Sequence, residues 1–544
     1  MTSALRLSLS LRNKVLLIGL WLFITAFNLD KAYHVDDTAY LEMARWILEN
    51  PLRPMSGILS WGSDYQPIHY TNQPPLYFYL MAGWGWVFGW EEISMHALMS
   101  VFTFWAVFAF HRLARIVTPG ASILPTILLA FSPVFVYGQN TMVDIPLLAV
   151  WLEFFRVLLD PKIDNKWRYL LSGTLLGLAM LVKYSSLALL PILFMHIVFV
   201  GGARRLFWIL LPVGVMASWC GFNYWEYGGI HMMGRPVASR SLSTYVQSSL
   251  YWISALGAIL PFAGLYFYGY QRLIQSPLFK LVWQLIVALL CSSYVFFGIW
   301  LAAHPEKHLV NLVLQISFLV SGTGLVVLLM VIGVEKARLK TLNSIEWILL
   351  SWFAAAAGFI IVLAPFIAAR HVLFALPPLI LLLNRWVLVR VDTKYVTALA
   401  VLTTLVISCL IAVADRWYAD IYRVQAQAIR SMLPANSVVW FNGNWGWQWY
   451  AEKANMRMLS NIPDRLSPSV GDYFVATNNV CCALSPPYSL QLERINTISI
   501  GRETIIQRLA SISLYASNWQ VWGYSVSPIE KFEISRVVKN KSAN

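Results

Sequence analysis

The sequence predicts a polytopic α-helical membrane protein with about 13 transmembrane helices and a small C-terminal α/β extramembrane domain. Three observations carry this expectation. Of the 544 residues, 58% are hydrophobic and only 12% are charged, against roughly 45–50% apolar in soluble domains. Apolar runs long enough to cross about 30 Å of hydrocarbon recur from residue 15 to residue 413. Beyond residue 413 those runs stop and short alternating segments take over.

The N-terminal MTSALRLSLSLRNK is basic and leads into the first apolar run. No small-residue cleavage site closes that run before Asn28-Leu29-Asp30, so it is read as a retained span. A span takes about 20 apolar residues, fewer where flanking side chains snorkel. The runs fall at 15–29, 97–117, 121–139, 142–159, 168–183, 184–200, 206–222, 249–270, 278–300, 309–333, 347–367, 371–389 and 395–413. PPLYFYLMAGWGWVFGW at 74–90 is also apolar, but its tryptophans and glycines suit an interfacial or re-entrant segment.

The net charge of +14 does not point to nucleic acid, because the basic residues sit at the ends of apolar runs rather than in one aromatic-laced patch. They report topology instead. With the N-terminus cytoplasmic, the inner connections carry nineteen Lys and Arg and the outer ones eight, although the outer ones include the two longest loops. An odd span count puts residues 414–544 outside, with the large first outer loop 30–96. Of the five cysteines, Cys220, Cys291 and Cys409 lie inside apolar runs, and no disulfide framework follows. Vicinal Cys481-Cys482 reads as packing or a strained redox pair rather than a metal site, with no histidine nearby.

The domains expected are thus a membrane module, 1–413, and an outer α/β domain, 414–544. In the tail, SVVWFN (437–442), DYFVATNN (472–479) and INTISI (495–500) alternate like strands. YADIYRVQAQAIRSML (418–433) and ETIIQRLASISLY (503–515) carry helical periodicity.

Four features gather on the outer face. In HVDDTAYLEMARWILENP (34–51), Thr38, Glu42, Arg45 and Glu49 recur at helical spacing, which predicts an amphipathic helix lying in the interface behind Asp36 and Asp37. One aspartate suffices as N-cap; the other is then free for chemistry. Asp144, in NTMVDIPLLAV, opens a span, where it either starts the helix or serves function. Lys183, in GLAMLVKYSS, and Arg370-His371, in AARHVLF, put cations where outer positive charge is disfavoured. They either snorkel or face an anion, and arginine suits phosphate through its bidentate fork. A carboxylate base beside cations is the equipment for glycosyl transfer from a lipid-linked sugar phosphate.

Those stretches also carry a resemblance. HVDDTAYLEMARWILEN, TNQPPLYFYLMAGWGWVFGWEEISMHALMSVFTFWAVFAFHRLAR, LAFSPVFVYGQNTMVDIPLLAVWLEF, GLAMLVKYSSLALLP and ARHVLFALPPLILLL resemble, in order and spacing, the lipid-phosphate-sugar-dependent glycosyltransferases with the C-type membrane fold. That broad family contains protein O-mannosyltransferases and the bacterial aminoarabinose transferase of lipid A. The resemblance covers most of residues 30–390. It implies the C-type glycosyltransferase fold, a polyprenyl-phosphate sugar donor, a lipid, glycan or protein acceptor, and an active site in the first outer loop of a bacterial inner-membrane protein. It puts the family's first-loop acid on Asp36 or Asp37, its later acid on Asp144, its motif lysine on Lys183 and its outer basic residue on Arg370. Many members read Lys-Pro-Pro where this chain has Gln73-Pro74-Pro75. The lost cation leaves Arg53, His69 or Arg370 to hold the donor phosphate, with His371 beside the last. Asp144 either orients the acceptor or holds a divalent metal ion, and the sequence leaves both open.

FNGNWGWQWYAEK (441–453) resembles a Gly-x-Trp-Gly-x-x-x-Tyr segment of some bacterial members. Trp445, Trp447 and Tyr450 either stack on sugar rings or pack a core and a domain interface. The polar, glycine-bearing loop within 223–248 reads as a mobile gate. No nucleotide-phosphate loop is present, in keeping with a lipid-borne donor. A flippase of lipid-linked saccharides and a structural membrane subunit are the competing classes. The first expects pseudo-symmetric halves, and the second leaves the outer acids and cations without a purpose.

Overall fold

The computed structural model of the chain describes residues 3–61, 64–71, 73–234, 241–274, 307–459, 467–479, 490–515 and 521–540, with isolated positions between 277 and 284. The first helices are α1 (Ser3–Asn28), α2 (Asp37–Glu49), α3 (Leu76–Phe88) and α4 (Glu92–Val117). The run at 121–139 is helical in two pieces, α5 (Ile123–Ala130) and α6 (Pro133–Tyr137). Ser132 between them is extended, as a residue before proline prefers. Then come α7 (Asp144–Leu159), α8 (Asn165–Val182), α9 (Leu190–His196) and α10 (Leu210–Tyr227).

One straight span was expected at 249–270. Instead α11 (Leu242–Ala258) and α12 (Ala263–Leu273) meet at 89°. Pro261 lies in the break, where it has no N–H to continue the ladder. After them come α13 (Lys307–Arg338), α14 (Ser344–Leu363), α15 (Leu376–Trp386) and α16 (Lys394–Met432). Close crossing of α11 on α13 depends on glycine: a Cβ on Gly257 would stand 1.9 Å from the Phe318 carbonyl oxygen, and one on Gly322 1.9 Å from that of Ile253.

Among the described residues, 8 helices are long and apolar enough to cross a membrane, or 9 with the bent pair counted as one span. The chain is therefore a polytopic helical membrane protein. The other apolar runs at 121–139, 142–159 and 168–183 are helical as well, in shorter or more polar pieces. The run at 278–300 lies outside the described residues, as do Cys481-Cys482 and residues 235–240 of the proposed gate.

α16 joins two segments that the sequence separates. Its 39 residues run unbroken through position 413, a length of about 58 Å. Its C-terminal part supports a five-stranded sheet of order β4-β3-β5-β7-β6, formed by β3 (Val439–Phe441), β4 (Arg457–Met458), β5 (Tyr473–Thr477), β6 (Leu490–Ile500) and β7 (Glu530–Asn540). β3 pairs in parallel with β4 and β5, while β7 pairs antiparallel with β5 and β6. A separate hairpin, β1 (Ile58–Trp61) with β2 (Asp64–Pro67), lies in the first outer loop. The helix expected at 503–515 is not α-helical. It makes two 3-10 turns, Gln507–Leu509 and Ile512–Leu514. Arg502 donates to the carbonyls of Gln507, Arg508 and Ala510, so a side chain takes the acceptors an α-helix would use.

Helix α17 (Trp445–Lys453) connects this domain to the membrane module. The periodicity predicts that α2 lays its polar face in the interface; instead α17 packs on the first part of that face, from Thr38 to Arg45, while Arg45 and Glu49 stay exposed. Thr38 Oγ1 donates to the Trp445 carbonyl at 2.6 Å, Gln448 Nε2 donates to Glu42 at 2.5 Å, and the Arg45 guanidinium stacks 4.4 Å over Trp449. Burial raises the Glu42 carboxyl well above the usual carboxylate range.

Candidate active site

The turn ahead of α2 is held from several sides. Its Tyr33 amide donates to the Tyr450 hydroxyl at 2.9 Å, and its His34 amide to Asp37 Oδ2 at 2.8 Å. Between His34 and Asp37, Val35 has φ +50°, a conformation that costs a β-branched residue about 1–3 kcal/mol and persists only where the surroundings over-determine it. Neither acid caps α2 as expected. Asp36 occupies the N-cap position without a side-chain cap bond, because its carboxylate is engaged elsewhere.

The two acids are not equivalent. Asp37 is fully buried, and its second oxygen accepts from Thr141 Oγ1 at 2.8 Å. Burial pushes its carboxyl up to about 7, against the two hydrogen bonds that favour the ionised form. Asp36 keeps a side-chain exposure of 13% and accepts from Arg370 Nη2 at 2.9 Å.

From Asp36 a row of alternating charge runs through the site to Lys183. Arg370 Nε stands 3.9 Å from Asp144 Oδ2, and Lys183 Nζ donates to Asp144 Oδ1 at 2.8 Å. Four chain segments supply the row: the turn before α2, the start of α7, the C-cap of α8 and the turn before α15. Lys183 is the C-cap residue of α8, an end where the helix dipole favours a cation. Arg370 Nε has no hydrogen-bond partner among the described residues, and Lys183 is 15% exposed. Lys183 thus keeps some exposure beyond its contact with Asp144, whereas Arg370 Nε is buried facing that carboxylate. His371 is buried beside it, with Nδ1 accepting from the Ala368 amide at 3.3 Å.

Other predicted residues lie apart from this row. Arg53 is exposed and paired with Glu226. His69 sits 3.2 Å from Asn223, with Tyr227 and His231 around its ring at 4.6 and 5.4 Å. Burial holds its imidazole below the usual range. Tyr184, the neighbour of Lys183 in sequence, hydrogen bonds to His231 Nδ1 at 2.8 Å. Trp447 is fully buried against Phe441 and Phe532, with no ring face open to a sugar. Tyr450 donates to Glu92 at 2.6 Å as well as holding Tyr33. Trp445 has φ +59° and gives its carbonyl to Thr38. Gly446 explains the motif spacing: a Cβ there would lie 2.2 Å from the Tyr33 carbonyl oxygen. The Trp-Gly segment clasps the turn that carries Asp36.

Several participants carried no separate signal in the sequence. Lys31 is buried and donates to Asp415 at 2.5 Å and to Asn140 at 2.6 Å, while Tyr515 donates to Asp415 at 2.7 Å. His34 stands 3.8 Å from the other Asp415 oxygen, and burial lowers its imidazole to about 4. No group of three or more His, Cys, Asp or Glu able to hold a metal occurs among the described residues. A divalent ion at Asp144 fits poorly, since both its oxygens already face cations.

Residues 72–221 match the family model of the dolichyl-phosphate-mannose-protein mannosyltransferases. That match bears out the resemblance read from the motifs, and it includes Asp144 and Lys183 but neither Asp36 nor Arg370. Among solved structures, the chain is similar to ArnT from Cupriavidus metallidurans bound to undecaprenyl phosphate, at 14% identity and a TM-score of 0.43, over 96% of this chain and 97% of that one. It is also similar to the archaeal oligosaccharyltransferase AglB from Archaeoglobus fulgidus in complex with an inhibitory peptide and a dolichol-phosphate, at 12% identity and a TM-score of 0.43, over 85% of this chain and 69% of that one. No curated protein matches.

Proposed function

We propose that the chain is a membrane glycosyltransferase that moves a hexosyl or pentosyl group from a polyprenyl-phosphate carrier to an acceptor hydroxyl on a lipid, glycan or protein. Asp36 is the general base. It takes the acceptor proton as the acceptor oxygen bonds to the anomeric carbon, and the bond from that carbon to the phosphate oxygen breaks. The departing phosphate keeps the electron pair, which Arg370 and Lys183 stabilise. Donor phosphate competing for the Arg370 N–H groups frees Asp36 for the proton. Asp37 positions the turn, and Asp144 holds the two cations together.

The observation that carries this reading is the row Asp36–Arg370–Asp144–Lys183, which sets one partly accessible carboxylate beside two cations. The division into 1–413 and 414–544, a thirteen-span count, and a cytoplasmic N-terminus in a bacterial inner membrane belong to the same proposal. Docking of α17 on α2 supports a tail on the same side as Asp36.

The test uses membranes holding Asp36→Asn, Asp37→Asn or the double variant at matched protein levels, supplied with labelled lipid-linked sugar. Loss of transfer in Asp36→Asn is expected, and undiminished transfer in all three would sink the reading. The 89° break between α11 and α12 favours the flippase alternative, since interrupted helices occur in transporters. Translocation of the labelled lipid without a transfer product would select it.

A further inference from the structure

At the end of the bundle away from Asp36 lies a cleft of about 1010 Å3. α4 measures the distance. Glu92 at its start meets Tyr450 beside the acidic turn, and Arg112 follows 20 residues later, about 30 Å along the helix and so about one hydrocarbon thickness. Arg12 and Lys14 of α1 line the cleft, together with Arg112 and Arg115 of α4. All four side chains are exposed, and none makes a hydrogen bond or ion pair with a described residue. No Asp or Glu is among the described residues that line the cleft.

Topology alone asks for cations at this end of the bundle, but not for four unpaired ones around a shared cleft. Nearby arginines behave differently. Arg156 is paired with Glu153 and Asp160, and Arg168 donates to Asn165 and to two carbonyls. Arg112 and Arg115, one helical turn apart, also line a second cleft of about 660 Å3, so both residues border both spaces. The remaining wall of the larger cleft is apolar, with Leu16, Phe108 and Leu124. Such a surface suits an amphiphile with a negative head.

We propose that this cleft binds an anionic glycerophospholipid, with its phosphodiester on Arg112 and Arg115 and its acyl chains along the apolar wall. Arginine forks match phosphate oxygens, and basic pockets between membrane helices take anionic headgroups. The inference is independent of the chemistry at Asp36.

Purified full-length protein in detergent, with native lipid washed away, is mixed with phosphatidylglycerol, phosphatidylcholine, a polyprenyl phosphate or inorganic phosphate, and retained lipid is counted by native mass spectrometry. Retention of phosphatidylglycerol well above phosphatidylcholine is expected, with about a tenfold loss in R112Q/R115Q. The control R338Q/K340Q removes two exposed cations from the same face outside this cleft and should cost less than about twofold. Equal retention of the two glycerolipids, or equal loss in both double variants, overturns the proposal. So does Arg112-dependent retention of polyprenyl phosphate, or occupancy by inorganic phosphate, without that of phosphatidylglycerol. Should R112Q/R115Q fail to fold, R12Q/K14Q is read in the same way.

Discussion

Lys31 and Asp415 form an ion pair at 2.5 Å with side-chain exposures of 1% and 0%, although 384 positions separate them. The pair ties the turn before Asp36 to the long helix α16, and Tyr515 brings the C-terminal domain to the same carboxylate. Removing one partner of a buried pair strands the other charge and costs about 3–5 kcal/mol, whereas replacing both with apolar side chains is often near neutral. Lys31→Met and Asp415→Leu are each expected to lower the unfolding temperature sharply. The double variant should recover most of the loss. Thermal unfolding of the four proteins in one detergent checks this, and additive losses would show that the two residues do not act as a pair.

Asp37 makes a prediction about pH. Its carboxyl lies near 7 in the fold against 3.8 ordinarily, so between those values the folded chain holds a proton that the unfolded chain has released. Stability contributed by this group is therefore present at low pH and falls as pH rises toward 7. Asp37→Asn cannot ionise. Its unfolding temperature should decline less steeply between pH 4 and pH 7 than that of the parent, and matching slopes would count against the buried, proton-holding state of Asp37.

The charged row was legible because charged residues stand out in apolar surroundings: Asp144, Lys183 and Arg370 each interrupt a run of hydrophobic side chains. The difference between Asp36 and Asp37 was not legible, since it depends on Thr141 arriving from a distant segment. Lys31 follows the first apolar run as a boundary cation does, and its partners Asn140, Asp415 and Tyr515 share no local pattern with it. The polar face of α2 has the periodicity of an interfacial helix, yet α17 packs on its first part, because periodicity reports that a face is polar and not what meets it. The bend at Pro261 was foreseeable from a proline in an apolar run.

Gly446 tests the clasp. An alanine there puts a methyl group 2.2 Å from the Tyr33 carbonyl oxygen, which forces α17 off the turn. Gly446→Ala should cost about 1–3 kcal/mol by overpacking and lower transfer by more than the lost folded fraction explains, since Asp36 follows Tyr33 by three residues. Alanine at Gly221, where nothing lies within 4 Å of the added carbon, is the control. Similar transfer per folded molecule in both variants would limit the clasp to stability.

Asp144 and Lys183 should show opposite kinetic signs. Lys183→Gln removes a donor to phosphate and leaves Asp144 facing Arg370 alone at 3.9 Å, so KM for the lipid donor should rise. Asp144→Asn deletes the negative charge between two cations, which strengthens the local attraction for phosphate while releasing Lys183 from its 2.8 Å contact. Donor KM should therefore fall or hold while kcat drops by about tenfold or more, the signature of lost placement rather than lost binding. A metal-ligand role for Asp144 makes a different prediction: activity of the parent would respond to added chelator, and Asp144→Asn would raise the requirement for divalent cation. Steady-state kinetics of both variants with and without chelator separates the two, because an electrostatic spacer raises KM only in Lys183→Gln and shows no metal dependence in either variant.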